Sequence, residues 1–118
     1  MKIDELLKKE FTEEAKAMVE HTFNEFGIKP KGVKMIGSIK HKPVEMMKDV
    51  DIQVELDSKD FDKLIGKKII GQDVVALIEV DNKRYFDKKP LDIFIKDNKG
   101  RYGVCGQVSP IECEFREI

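Results

Sequence analysis

A chain of 118 residues, 41% of them hydrophobic and 38% charged, fits one domain over residues 1–118 and is too short for two well-buried ones. Its 22 basic and 23 acidic residues leave a net charge of −1. Proteins that bind long nucleic acid usually have an excess of basic residues, and this chain has none. No apolar run approaches the ~18 residues of a membrane span, and the acidic N-terminus is unlike a signal peptide. We therefore expect a cytoplasmic protein whose partners include neither long nucleic acid nor a membrane.

The first part of the chain has helical periodicity. Hydrophobic residues recur at spacings of three and four over residues 3–26, which places them on one face of a helix. Thr12, followed by two glutamates, is typical of a helix N-cap, and Gly27 is typical of a helix end. These features predict a main helix near 13–26, with a shorter helix before it.

Short segments with β-strand patterns follow the helix. Residues 33–36 are apolar enough for a strand that ends at Gly37-Ser38. Residues 39–48 have no clean period, which indicates a loop or one short turn. Strict alternation makes residues 50–56 the clearest strand of the chain.

A second helix is predicted near 59–68, after Ser58 as its cap. Its inward-facing residues are expected to be Phe61, Leu64 and Ile65. Residues 74–80 and 91–95 have the composition of strands. We expect these two strands to pair with each other, beyond a turn at 81–83.

The C-terminal part has a strong turn signal at 97–100 and β-like stretches from 102 to 115, broken by Pro110. Cys105 and Cys113 match no zinc-binding spacing. Two reduced thiols are favoured, with a disulfide or a metal role as alternatives. The order of the elements predicts an α/β (α+β) fold, in which helices pack on one face of a mixed β-sheet.

Two acidic residues, Asp49 and Asp51, lie two positions apart at the start of the strand 50–56. Because side chains alternate along a strand, both project from one face, roughly 6–7 Å apart. Gln53 and Glu55 share that face, whereas the apolar residues of the strand point the other way. One face therefore packs and the other is open and polar.

A third acidic residue, Asp92, lies within the apolar strand 91–95. If that strand lies next to 50–56, three carboxylates meet at one place, where they repel one another and lose hydration. A hard divalent cation such as Mg²⁺ resolves this conflict, since it prefers oxygen ligands and bridges to substrate phosphates. The sequence thus predicts a metal site formed by Asp49, Asp51 and Asp92. The alternatives are a charged strand edge that discourages aggregation, for Asp49 and Asp51, and a solvent-facing strand residue, for Asp92.

The Gly37-Ser38 turn supplies a group that can bind phosphate. Glycine lets the backbone approach a ligand closely, and the serine hydroxyl and backbone N–H groups can donate to phosphate oxygens. Lys40 and Lys42 follow and could neutralise the remaining charge. An ordinary strand-ending turn with two solvated lysines is the alternative.

These features occur in a definite order: Gly37-Ser38, ten further residues, Asp49-Val50-Asp51-Ile52, and a later Leu91-Asp92-Ile93. The ordered set resembles the nucleotidyltransferase superfamily related to DNA polymerase beta. It is similar in particular to the single-domain "minimal" nucleotidyltransferases. The resemblance spans a motif core at about residues 33–96.

The resemblance implies a role for each matching residue. Ser38 would hold the β- or γ-phosphate of a nucleoside triphosphate, with ATP expected. Asp49 and Asp51 would bind one or two Mg²⁺ ions, and Asp92 would join the metal site and help to deprotonate the attacking hydroxyl. The implied reaction transfers a nucleoside monophosphate, usually AMP, to a hydroxyl of a small molecule or protein, and pyrophosphate leaves.

The sequence also departs from the family pattern. Lys48 stands where a serine commonly precedes the first metal aspartate, and the loop after Ser38 has no second glycine. The helical domain with which larger relatives hold an acceptor has no counterpart, so we expect the acceptor to be bound by a helical partner protein, by a second copy of the chain, or not at all. A catalytically inactive interaction module and an unrelated α/β binding domain are the two rival interpretations.

Overall fold

The computed structural model describes residues 2–70, 73–106 and 113–118. Its helices are α1 (Ile3–Glu25) and α2 (Ser58–Leu64). Its strands are β1 (Gly32–Ile36), β2 (Val50–Leu56), β3 (Lys68–Ile69), β4 (Asp73–Val80), β5 (Lys83–Asp97), β6 (Tyr102–Cys105), β7 (Cys113–Glu114) and β8 (Arg116–Glu117). Within these ranges, β1-β2-β5-β6-β8 form a sheet in that order, which β4 joins at β5 as a sixth strand, while β3 and β7 pair separately.

The main sheet is mixed. Strands β2 and β5 run parallel, whereas β1 pairs antiparallel with β2, and β4 and β6 pair antiparallel with β5. A parallel pair needs a long connection, which α2 and β4 provide between β2 and β5. The predicted α+β class with a mixed sheet is confirmed.

Helix α1 is one continuous helix, so the predicted break before residue 13 is wrong. The Thr12 hydroxyl donates to the Lys8 carbonyl at 2.8 Å, which satisfies it inside the helix and removes its role as a cap. The buried face of α1 consists of Phe11, Ala15, Val19 and Phe23. No helix in the described ranges is both long and apolar enough to span a membrane.

The core lies between the helices and one face of the sheet. All four apolar residues of β2 are buried, and its alternate positions are half-buried. The buried side chains of both helices belong to the same cluster as Val50, Ile52, Ile93 and Ile95. Burying each such side chain contributes about 1.5–3 kcal/mol, so this face of β2 is fixed and its polar face must point outward.

Helix α2 is shorter than predicted. It ends at Leu64, and Ile65 is 43% exposed instead of facing inward. Gly66 has φ +79°, the left-handed conformation that commonly terminates a helix. The Lys67 N–H then donates to the Leu64 carbonyl at 2.8 Å, which closes the last turn.

The long strand β5 has two partners in succession. Residues 83–90 pair with β4, and residues 91–97 pair with β2. The predicted pairing of 91–95 with 74–80 is therefore wrong. The reason is local: Asp81 and Asn82 both have positive φ, 53° and 65°, and form the two-residue hairpin turn that fixes the adjacent residues as partners.

Two short 3₁₀ turns lie at the predicted loop 39–48: Gly37–Lys40, which begins just before it, and Val44–Met46 within it. Ile39, Val44 and Met47 are buried there. The Val44 N–H donates to the Asp4 carboxylate at 2.7 Å. This segment is therefore held against the start of α1, which fixes the turn that follows β1.

Cys105 and Cys113 form a disulfide, which corrects the expectation of two reduced thiols. Their Cα atoms are 5.8 Å apart, within the range of disulfides. The bond joins the main sheet at β6 to the small sheet at β7. The predicted break at Pro110 and the adjoining parts of the β-like tail, residues 107–109 and 111–112, lie outside the described residues.

Candidate metal centre

The parallel pairing of β2 and β5 brings the three predicted aspartates together. Asp51 and Asp92 are register partners, and Asp49 precedes Asp51 by two residues. One carboxylate oxygen from each lies within 4.8 Å of the others, and all three residues are half-buried. The geometry on which the predicted metal site depends is therefore present.

The Gly37 backbone lies directly against this aspartate cluster. Ile36, the last residue of β1, is the register partner of Asp51, so the chain turns beside the cluster. Gly37 has φ +77°, and a Cβ atom at this position would collide with the Asp51 carboxylate. Glycine thus satisfies two requirements here, a left-handed backbone and a close approach to a carboxylate.

The electrostatics of the cluster favour a bound cation. The pKa of Asp51 is raised to about 6, first by burial, and further by the negative charges of Asp49 and Asp92 and a hydrogen bond with Asp49. In the described part of the chain, no basic side chain forms an ion pair with Asp49 or Asp51. Placing a divalent cation among these oxygens would relieve the repulsion.

The spacing of the carboxylates can be compared with metal geometry. Magnesium–oxygen bonds are about 2.0–2.1 Å long, so ligands on opposite sides of one Mg²⁺ are about 4.1 Å apart. Three ligands of one octahedral ion include at least two adjacent pairs, which are about 2.9 Å apart, so oxygens within 4.8 Å of one another would draw closer together around one ion. Three carboxylates also leave coordination positions for water or for substrate phosphates.

The structure separates the predicted phosphate-binding residues into two groups. Gly37 and Ser38 belong to the turn beside the cluster, and the Ser38 carbonyl is held by the N–H groups of His41 and Lys42 at 3.1 and 2.8 Å. Lys40 and Lys42 are exposed. Neither lysine forms an ion pair with any described residue, so neither is paired with the aspartates.

Sequence reasoning missed two basic residues on the open face of the sheet. Lys34 is the register partner of Gln53, and Lys96 is the register partner of Glu55. All four line a cavity of about 200 Å³. Lys96 has the same strand parity as Asp92, which could have identified it, whereas Lys34 depends on the pairing of β1 with β2.

Two larger cavities lie away from the cluster. One, of about 550 Å³, is between α1 and residues 29–33, and the other, of about 560 Å³, is formed by residues 2–7, 43–45 and 85–87. Neither is lined by any of the three aspartates. The case for the aspartate cluster therefore depends on the chemistry of its side chains and not on cavity size.

Comparison with models of protein families, with curated proteins and with solved structures gave no match.

Proposed function

We propose that this protein is a Mg²⁺-dependent nucleotidyltransferase that transfers AMP from ATP to a hydroxyl group of a small molecule or a protein. One observation carries the proposal: three carboxylates, carried by two parallel strands and the residue before one of them, gather within 4.8 Å beside a glycine at which a Cβ atom would collide with the Asp51 carboxylate. The order of these residues in the chain supports a nucleotidyltransferase-like fold.

In this proposal the nucleotide phosphates lie at the turn beside the cluster. The backbone of Gly37 and the hydroxyl of Ser38 bind the β- or γ-phosphate, because a glycine backbone leaves room for oxygen atoms and a serine hydroxyl donates to them. The long side chains of Lys40 and Lys42 start from exposed positions just beyond. They contribute positive charge to the outer phosphates.

The three aspartates hold the reacting groups. Asp49, Asp51 and Asp92 are the ligands for one or two Mg²⁺ ions, which when bound supply positive charge to the entering and leaving oxygens. The attacking hydroxyl oxygen forms a bond to the α-phosphorus, the bond to the β-phosphate oxygen breaks, and pyrophosphate leaves with the electron pair. Asp92 accepts the hydroxyl proton.

The proposal is tested by isosteric substitution of the carboxylates. Asp49→Asn and Asp51→Asn should each reduce transfer of label from α-labelled ATP by at least about a hundredfold, while the circular dichroism spectrum stays unchanged. Glu79→Gln, an exposed position of β4, is the control and should keep full activity. Undiminished transfer in both aspartate variants would eliminate the assignment.

A second candidate function is a catalytically inactive module that binds a partner protein. The observation in its favour is the exposed apolar face of the β4–β5 hairpin, where the register partners Leu77 and Phe86 are 53% and 65% exposed. Apolar side chains gathered on one exposed face are common at protein interfaces. The partner is a helical protein or a second copy of this chain.

Titration with Mg²⁺, observed by amide NMR, separates the two candidates. An enzyme should show shifts at Asp49, Asp51 and Asp92 that grow when ATP is added. An inactive module should show no saturable response at these residues. Its hairpin amides should instead shift with protein concentration or when the partner is added.

A further inference from the structure

The open face of the sheet contains a cavity that the proposed metal site does not use. It has a volume of about 200 Å³ and is lined by Gly32, Val33, Lys34, Gln53, Glu55 and Lys96. These residues come from β1, β2 and β5. Gly37 directly follows β1, and β2 and β5 contain the register partners Asp51 and Asp92. The cavity and the cluster therefore share one rigid platform.

The position of the cavity relative to the aspartates follows from the strand register. Same-face neighbours along a strand are about 7 Å apart, so Gln53 lies about 7 Å and Glu55 about 13 Å beyond Asp51. Gly37 follows Ile36, the partner of Asp51, and thus lies in the opposite direction. The aspartate cluster is consequently between the turn and the cavity.

The charges around the cavity favour an anion. Lys34 and Lys96 form no ion pair with any described residue. The acidic residue, Glu55, lies close enough to Lys31 for its charge to raise the pKa of that lysine, whose main partner is Asp57 at 2.7 Å. The lining of the cavity thus includes two ammonium groups, the Gln53 amide and a single carboxylate.

The geometry of phosphoryl transfer indicates on which side of the aspartate cluster an acceptor would lie. In an in-line displacement, the entering and leaving oxygens are on opposite sides of phosphorus. If pyrophosphate leaves on the Gly37 side, the acceptor hydroxyl approaches from the side of Gln53. An acceptor anchored beside Lys34 and Gln53 needs a length of about 7 Å to reach the cluster, the size of a three-carbon metabolite.

We propose that this cavity is the acceptor site, and that the acceptor is a small hydroxyl compound with an anionic group, a carboxylate or a phosphate ester, held by Lys34 and Lys96. This inference rests on the proposed function. The acceptor hydroxyl gives its proton to Asp92, its oxygen bonds to the α-phosphorus, and pyrophosphate departs. Lys34 and Lys96 determine which acceptor is used, whereas the aspartates carry out the transfer.

Binding is tested first, without nucleotide, by amide NMR of the full chain. The probes are D-glycerate, glycerol 3-phosphate, glycerol and choline, which have similar sizes and different charges. The two anions should shift the amides of Lys34, Gln53 and Lys96 with saturation. Glycerol and choline should not. The response to glycerate against glycerol 3-phosphate identifies which anionic group the site prefers.

Substitutions then connect binding with turnover. The double variant Lys34→Gln/Lys96→Gln should weaken binding of the preferred anion at least about tenfold and raise its KM in AMP transfer by the same factor. The KM for ATP and the affinity for Mg²⁺ should not change. Lys83→Gln, next to the hairpin turn, removes a lysine of the same charge elsewhere and should have no effect.

Three outcomes would overturn the inference. The first is equal response to glycerol and to the anions, and the second is equal weakening by Lys83→Gln, which would indicate general attraction to a lysine-rich surface. The third is transfer to glycerol as efficient as to the anions, which removes the acceptor assignment and leaves the nucleotidyltransferase in place. Failure of the proposed function itself is recognised separately, by the absence of a Mg²⁺ response at the aspartates.

Discussion

Two of the three aspartates of strand β5, Asp92 and Asp97, lie on opposite faces of the sheet, and their surroundings differ completely. Asp97, on the inner face, is only 4% exposed. Its carboxylate accepts hydrogen bonds from the Arg101 side chain at 2.6 Å and from the N–H groups of Arg101 and Lys99 at 2.8 and 3.0 Å. Burial alone raises its pKa, but these donors lower it to about 2.

The outer face presents the reverse case. Asp92 lies there beside Asp51, whose pKa is raised to about 6 by burial and by neighbouring carboxylates. Arg101 also binds Asp62 at 2.7 Å and stacks 4.6 Å over the Phe61 ring, so the cation that serves Asp97 is itself held in place. The Asp97 carboxylate is hydrogen-bonded by donors of the chain itself, whereas the Asp51 carboxylate is repelled by neighbouring carboxylates. We infer that the first carboxylate maintains the fold and the second binds a ligand.

The sharpest way to break this comparison is to remove each charge in turn. Asp51→Asn should reduce Mg²⁺ affinity by about a hundredfold, because it removes a ligand, and should raise the melting temperature of the metal-free protein, because it removes repulsion. Asp97→Asn should lower the melting temperature, because the Arg101 charge loses its partner, with Mg²⁺ affinity unchanged. Isothermal calorimetry and thermal unfolding measure both quantities, and matching effects of the two variants would refute the distinction.

The pH dependence of metal binding gives the next largest effect. Mg²⁺ competes with the proton of Asp51, whose pKa is about 6. Affinity should therefore be constant above about pH 7 and become about tenfold weaker one unit below that pKa. Calorimetric titrations at pH 5, 6, 7 and 8 provide the measurement. A constant affinity over this range would show that Asp51 does not hold the ion.

Substitution of Gly37 should have a smaller effect on the cluster. Gly37→Ala forces a left-handed alanine, which costs about 1 kcal/mol, and also drives a methyl group against Asp51. We expect Mg²⁺ affinity to fall several-fold as that carboxylate moves. Gly27→Ala is a matched control, with φ +69° and nothing within 4 Å of the added Cβ. It should lose similar stability and keep full affinity for Mg²⁺.

The smallest expected effect is on stability in acid, where the two aspartates act with opposite sign. The folded-state pKa of Asp51 is raised from 3.8 to about 6, so the metal-free protein should gain stability as the pH falls from 7 toward 4. The pKa of Asp97 is lowered to about 2, so its contribution is present above pH 3.8 and is lost between about 4 and 2. The free energy of unfolding, measured with urea, should therefore pass through a maximum between pH 7 and pH 2. Its decrease above the maximum should disappear in Asp51→Asn, and its decrease below the maximum should become smaller in Asp97→Asn.

Sequence alone could predict the features that depend on neighbouring residues. The alternation of 50–56 determines which residues of β2 are buried, and this gives the shared face of Asp49 and Asp51. The apolar period of α1 identifies its buried face in the same way. The mixed sheet follows from the order of the elements.

Features that depend on contacts between distant segments were harder to predict. The partner of residues 91–95 could not be read from their composition, because the hairpin turn assigns β4 to the residues just before them. Those residues, 83–90, form a strand, but they are rich in charge and lack the composition that is typical of one. Lys34 becomes a neighbour of Gln53 only through the register of β1, which no local pattern encodes.

The pairing of Asp51 with Asp92 also has a consequence for folding. These residues are far apart in sequence, and α2 and the β4 hairpin lie between them. Closing so long a segment is entropically costly and therefore tends to occur late in folding. A cation whose ligands come from both strands cannot bind before the two strands pair. It would therefore stabilise the folded state relative to partly folded states by mass action. Under the proposed function, the ion would therefore stabilise the completed sheet as well as take part in catalysis.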